Sequence, residues 1–197
     1  AAPQGLPETH YVDGRVYSDP QIFEDEKRLI LNKVWHFAAH DSELPEVHDF
    51  RTFQHASLPL FLYRGHDGRI RCFVNACSHR GAKLVNEVRG NAARITCFYH
   101  LWSYDDRGAC IDIPRSDAYD TVGLDKSDCG LREVRCDPRH GLVFVNLDDT
   151  APCLDNFLGQ SLEIFDGVLD APGVGYEVFH FHVATIDANW KAWQETI

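Results

Sequence analysis

No stretch of this 197-residue chain approaches the ~20 consecutive apolar residues that a membrane-spanning helix needs. Its first residues, Ala1 to Tyr11, lack the basic and apolar regions of a secretory leader, so the chain is read as cytoplasmic. Basic charge is scarce as well: 19 Lys and Arg stand against 30 Asp and Glu, a net charge of -11. Such a chain repels phosphate backbones and anionic lipid, and no nucleic-acid or membrane partner is expected. A regular disulfide framework is missing too. Seven cysteines is an odd count, and Cys72, Cys110, Cys129, Cys136 and Cys153 fall at no regular spacing, so these five are expected to be reduced and buried. There is no internal repeat, low-complexity tract or flexible linker. What is present, 44% hydrophobic, 25% charged and 12% aromatic, suits a well-filled globular protein with one sizeable domain and the beginning of another.

Asp19-Pro20 reads as an N-cap followed by proline at the first helical position, and Ile22, Phe23, Leu29, Ile30 and Val34 at helical spacing predict a helix to about Trp35. From Phe50 the period changes. Phe50 to His55, Leu60 to Arg64 and Ile70 to Asn75 read as a meander of antiparallel strands, with a hairpin turn at His66-Asp67-Gly68. Further strands are predicted at Arg94 to Cys97, Leu131 to Cys136 and Gly141 to Leu147, with a turn at Asp105 to Gly108. Leu154, Phe157, Leu158, Leu162 and Phe165 restore helical spacing, Glu177 to Ile186 alternates as a strand would, and Asp187 is the predicted cap of a last helix. The domain boundaries fall at 1–40 for a helical segment, 41–150 for a strand-rich domain and 151–197 for the connection and start of a further domain.

Chemistry concentrates in Cys77-Ser78-His79 and, after Arg80 to Thr96, in Cys97-Phe98-Tyr99-His100. Two thiolates and two imidazoles form a set that a tetrahedral zinc ion accepts. Because each loop offers one Cys and one His, two facing loops can also place both thiolates on one iron and both imidazoles on another, the ligand pattern of a Rieske 2Fe-2S cluster. His180 and His182, two apart on the predicted strand, read as a polar strand face, and His140 as a strand-end histidine.

The runs Cys77-Ser78-His79-Arg80-Gly81 and Cys97-Phe98-Tyr99-His100-Leu101-Trp102-Ser103-Tyr104-Asp105 resemble the cluster-binding loops of Rieske non-haem iron oxygenase α subunits. Asn32 to His40 with Glu43-Leu44-Pro45 is similar to the segment before their Rieske domain, and Asn189-Trp190-Lys191 with Gln194-Glu195 to the helix opening their catalytic domain. The resemblance implies a mainly β fold, a Rieske-type antiparallel β-sandwich with a cluster-binding subdomain. It implies a 2Fe-2S cluster on Cys77, His79, Cys97 and His100. Beside these ligands Trp102 reads either as an indole packed over the cluster or as plain core packing, and Arg80 and Lys83 either as a docking face for an acidic partner or a neighbouring subunit or as solvated surface charges. The resemblance further implies a mono- or dioxygenase acting in aromatic catabolism on a small organic substrate, an NAD(P)H-dependent reductase or ferredoxin as electron donor, and an α3 or α3β3 assembly. The mononuclear Fe(II) of the full-length enzyme, and with it every catalytic ligand, is expected outside these residues. Leu101 stands where many members have glycine, and Thr196 where asparagine is common. Ala82, Tyr99 and Trp102 replace the disulfide cysteines and sulfur-bonding serine of cytochrome bc-type Rieske proteins, which implies a potential toward the low end of the range, about -150 mV. A stand-alone Rieske ferredoxin is the rival reading.

Overall fold

The computed structural model describes residues 12–56, 58–169 and 175–195; Ala1 to Tyr11 and Thr196 lie outside them. The chain divides into two compact units, one of residues 34–179, the other of the segments up to residue 33 and from 180 onward. Among the described residues no helix is long and apolar enough to cross a membrane.

In the larger unit the strands are β1 (His36–His40), β2 (Asp49–His55), β3 (Leu58–Arg64), β4 (Ile70–Val74), β5 (Arg89–Asn91), β6 (Ile95–Thr96), β7 (Ser103–Tyr104), β8 (Cys110–Asp112), β9 (Glu133–Arg139) and β10 (Leu142–Asn146). Seven of them pair antiparallel in the order β1-β10-β9-β4-β3-β2-β5, and β6-β7-β8 form a separate small sheet. This is the mainly β architecture with a second sheet subdomain that was expected. The β3–β4 hairpin turns where the sequence predicts: the Gly65 N–H donates to Arg69 O at 2.8 Å, and Gly68 takes φ +77°, a left-handed conformation that costs glycine nothing.

The run Leu60-Phe61-Leu62-Tyr63 is apolar throughout because both faces of this part of the sheet are covered. Side chains alternate across a strand. Leu60, Leu62, Ile70, Cys72 and Val74 therefore join Val134, Val143 and Val145 on one side. Phe61, Tyr63 and Phe73 join Cys77, Cys97, Trp102 and Tyr104 on the other. The first of the two candidate-ligand loops leaves directly from the end of β4, and one buried side chain fixes where it returns. Asn75 donates from Nδ2 to Val85 O at 2.8 Å and accepts at Oδ1 from Leu84 N at 3.0 Å and Val85 N at 2.9 Å.

Several elements differ from the sequence reading. The first helix, α2 (Pro20–Glu26), starts as predicted on the Asp19 cap, whose side chain accepts from Gln21 N, but runs through a wider π-type turn at Lys27–Leu31 and stops. A four-residue α1 (Arg15–Ser18) precedes it. Trp35 is not its last turn. The indole is buried beneath Arg135 and donates to Pro152 O at 3.0 Å, and the residues after it form edge strand β1 against β10. The single helix read from Leu154 to Phe165 is two, α3 (Leu154–Leu158) and α4 (Ser161–Leu169), separated at Gly159 with φ +52°. Glu177 to Ile186 forms no strand. Alternation supplies a face, but a strand also requires a partner backbone, and no described segment pairs with it. The last helix, α5 (Trp190–Gln194), is capped by Asn189, not Asp187, since the Asn189 side chain accepts from Lys191 N. Within the smaller unit Trp190 Nε1 and Lys191 Nζ both donate to the Glu26 carboxylate, at 3.0 and 2.6 Å. All five cysteines outside the motifs are free; Cys72, Cys110 and Cys129 are buried as expected, Cys136 only partly, and Cys153 is exposed because it caps the surface helix α3.

Replacing Asn75 by alanine strands two buried N–H groups and one carbonyl. We expect Asn75→Ala to lower stability by about 3 kcal/mol in urea melts, with an unchanged m-value.

Candidate metal centre

The two motif loops are built to one backbone plan. Cys77 N–H donates to Ala82 O at 2.8 Å and Cys97 N–H to Trp102 O at 2.8 Å, so each cysteine is tied to the residue five places on. Inside each loop the residue four places on donates back: Gly81 N–H to Cys77 O at 2.8 Å, Leu101 N–H to Cys97 O at 2.9 Å. That closing residue is left-handed in both loops, with φ +69° at Gly81 and +60° at Leu101. Glycine is the residue suited to such a φ. The departure from glycine at Leu101 is thus accommodated by strain at one residue, with its side chain turned to solvent and the hydrogen-bond plan kept.

The plan separates the four candidate ligands by depth. Cys77 and Cys97 are 3% and 1% exposed within the aromatic core, whereas His79 and His100 are only half-buried. The two imidazoles meet at 4.6 Å between ring centres, 72° apart. Nδ1 of His79 is buried without a hydrogen-bond partner, a vacancy in polar pairing that a metal ion would fill. Among the described residues no three His, Cys, Asp or Glu side chains converge as ligands of a single ion. A two-iron cluster asks for only two protein ligands on each iron, with bridging sulfides as the remainder. The residues therefore fit the 2Fe-2S group: two thiols inward, two imidazoles outward.

Trp102 is buried and stacks on His79 at 4.7 Å with the planes 8° apart, so its indole covers the imidazole face. Ser78 spends its hydroxyl on the backbone, donating to Gly130 O at 2.6 Å. Tyr99 is exposed and lies beside His100, with the ring centres 3.9 Å apart. The hydroxyl beside a sulfur is that of Tyr104, to which the sequence reading gave no role. It lies 3.1 Å from Cys77 Sγ, a contact in which either atom can donate, and accepts from Ser78 N at 3.2 Å; toward a thiolate the phenol is the donor. Desolvation, then the contact with Cys77, pushes the Tyr104 phenol well above its ordinary pKa, so it stays a donor. Position four after His100 was the available signal; nothing in one dimension says that it doubles back onto the other loop. Arg80 and Lys83 are exposed. His180 and His182 lie exposed on irregular backbone, and His140 holds Asp166 with Nε2···Oδ1 at 2.6 Å.

Two expected outcomes follow from this geometry. Tyr104→Phe should lower the reduction potential by roughly 40–60 mV, the one-electron equivalent of about 1–1.4 kcal/mol of hydrogen bonding to sulfur, measured by protein-film voltammetry. Leu101→Gly should raise thermal stability by about 1 kcal/mol through relief of the left-handed strain, read by calorimetry.

Known proteins resemble this chain along nearly its whole length. The profile of the Rieske [2Fe-2S] domain matches residues 34–144. The chain is 48% identical over 195 residues to the 2-aminobenzenesulfonate 2,3-dioxygenase subunit alpha of Alcaligenes sp, covering 98% of this chain and 49% of that protein. It is 37% identical to the methanesulfonate monooxygenase hydroxylase subunit alpha of Methylosulfonomonas methylovora, over 97% of this chain and 48% of that one. Among solved structures, naphthalene 1,2-dioxygenase from Rhodococcus sp. bound to indole superposes with a TM-score of 0.74 at 33% identity, covering 79% of this chain and 36% of that one. The quaternary ammonium Rieske monooxygenase CntA gives 0.73 at 31%, over 78% and 44%. The chain spans about half the length of the curated relatives it matches. Since the match runs from β1 through both cysteine–histidine loops into β10, the chain belongs to the Rieske [2Fe-2S] domain family and its cofactor is a 2Fe-2S cluster.

Proposed function

We propose that the chain is the electron-receiving part of a Rieske oxygenase α subunit, with Cys77 and Cys97 holding the inner iron and His79 and His100 the outer one. The observation that carries this is the depth difference: the thiols lie in the aromatic core and the imidazoles, half-buried, further out. A bound cluster supplies a store for one electron. The residues of the chain supply its setting. Tyr104 donates to the inner sulfur, Trp102 keeps water from one face of His79, and the open edges of His79 and His100 give an electron a short way out of the core.

The domain bearing the cluster would take in edge strand β1, which the sequence boundary of 41–150 left out, and so span about 34–150, with 151–197 leading into a catalytic part that carries the mononuclear iron on residues outside this chain. Electrons would come from an NAD(P)H-dependent reductase or ferredoxin in the cytoplasm, with Arg80 and Lys83 offering a docking surface for an acidic carrier, and the full-length subunit would work in an α3 or α3β3 assembly. Relatives at 48% and 37% identity are named for sulfonates, which favours an organosulfonate among the small organic substrates open to such an enzyme. The ferredoxin alternative is disfavoured by the grip of Trp190 and Lys191 on Glu26, an elaboration that a small carrier does not need.

Mixed with reductase and NADH, this chain should show cluster reduction without hydroxylated product, and the full-length subunit should hydroxylate an arene- or alkanesulfonate. Cys97→Ser should bleach the protein and destabilise it. A Rieske-type EPR signal surviving in Cys97→Ser would refute the ligand assignment, and product formed by this chain alone would refute the division of labour.

A further inference from the structure

Between β8 and β9 the chain makes an excursion beside the cluster loops, with a 3-10 segment at Ser116–Val122 in which Ser116, Asp117, Ala118 and Thr121 are exposed. Tyr119 in that segment is partly buried, packed against the aromatic core that contains Cys77, Cys97 and Trp102. Its ring stands perpendicular to two others at once. It lies 6.5 Å and 89° from His79 and 6.2 Å and 85° from Trp102, which are themselves stacked. Edge-to-face contact of this kind is a favoured aromatic geometry.

The two imidazoles are therefore held unequally. His79 has an indole across its face, a tyrosine ring against the stacked pair and His100 at 72°, whereas among the described aromatic rings His100 has, besides His79, only the exposed Tyr99 at 3.9 Å. Rotation of an imidazole about its Cβ–Cγ bond has a broad intrinsic profile, so packing and neighbours must set the plane of the ring. A metal-bound histidine depends on such neighbours for its orientation.

We propose that Tyr119, outside both motifs, is a positioning residue that locks the His79–Trp102 stack and so fixes the plane in which the His79 imidazole meets the outer iron. This rests on the reading of His79 as a ligand. The contact is made by the ring; the hydroxyl is not required.

The test is pulsed EPR of the reduced, cluster-loaded full chain, which resolves the nitrogen couplings of the two histidines. In the parent protein, absence of a Rieske signal with two histidine nitrogens would overturn the ligand reading itself, and its presence leaves Tyr119 as the only question. Tyr119→Leu, which fills the space without a flat edge, should shift one of the two nitrogen couplings and broaden the g-values, and Tyr119→Ala should do so more strongly. Tyr119→Phe should match the parent. Should Tyr119→Ala fail to load a cluster, Tyr119→Leu decides. Parent-like couplings in Tyr119→Leu, or a shift in Tyr119→Phe as large as in Tyr119→Leu, would overturn the proposal.

Discussion

The site depends first on a backbone hydrogen bond made twice, from the amide of a cysteine to the carbonyl five residues later. That bond closes each motif into a loop tight enough to need one left-handed residue, and it fixes the depth at which cysteine and histidine emerge. In the first loop the histidine is two places after the cysteine, in the second three. The plan tolerates this difference because it constrains the closing residues, Gly81–Ala82 and Leu101–Trp102, and leaves the positions between them to reach outward. A strained Leu101 is thus a local cost of about 1 kcal/mol borne by a geometry set elsewhere.

Those loops stand on a sheet whose middle strands are buried on both faces. β3 and β4 send alternate residues to an aliphatic side and to an aromatic side, and the aromatic side is where the sulfurs lie. One strand therefore ties the packing of the main sheet to the floor of the site. The capping Asn75 continues the same logic past the end of β4: a single amide satisfies three backbone groups that would otherwise be stranded where water does not reach.

How much of this was legible follows from what one dimension carries. Strand period, the hairpin glycine and the Asp19-Pro20 cap are local, and all were readable. The paired Cys–His spacing is also local, and it gave the candidate ligands along with a resemblance specific to one family. What escaped was long-range. The segment at 36–40 is a strand because β10 lies beside it, and 177–186 is not one because no described segment does. The roles of Tyr104 and Tyr119 depend on contacts across 27 and 40 residues of sequence, from Cys77 to Tyr104 and from His79 to Tyr119, and both would pass in a linear reading as ordinary aromatics.

The contrast among the seven cysteines shows why the sulfurs sit where they do. Burial raises the thiol pKa of Cys72, Cys110 and Cys129, and pushes Cys136 up to about 12, so these side chains remain neutral thiols and act as small apolar groups. A buried thiolate is stable only where a cation offsets its lost hydration. Cys77 and Cys97 occupy the same kind of core, with the Tyr104 hydroxyl already directed at one sulfur and the His79 Nδ1 left unpaired nearby. The first feature suits a sulfur that accepts, and the second leaves a buried nitrogen that no described protein group pairs with. Held as proposed on Cys77, Cys97, His79 and His100, iron would account for both, keeping the sulfurs anionic and taking up the imidazole nitrogen. Metal binding would then be coupled to folding of this face, and the aromatic core that makes thiolates costly without iron would also shield the bound cluster.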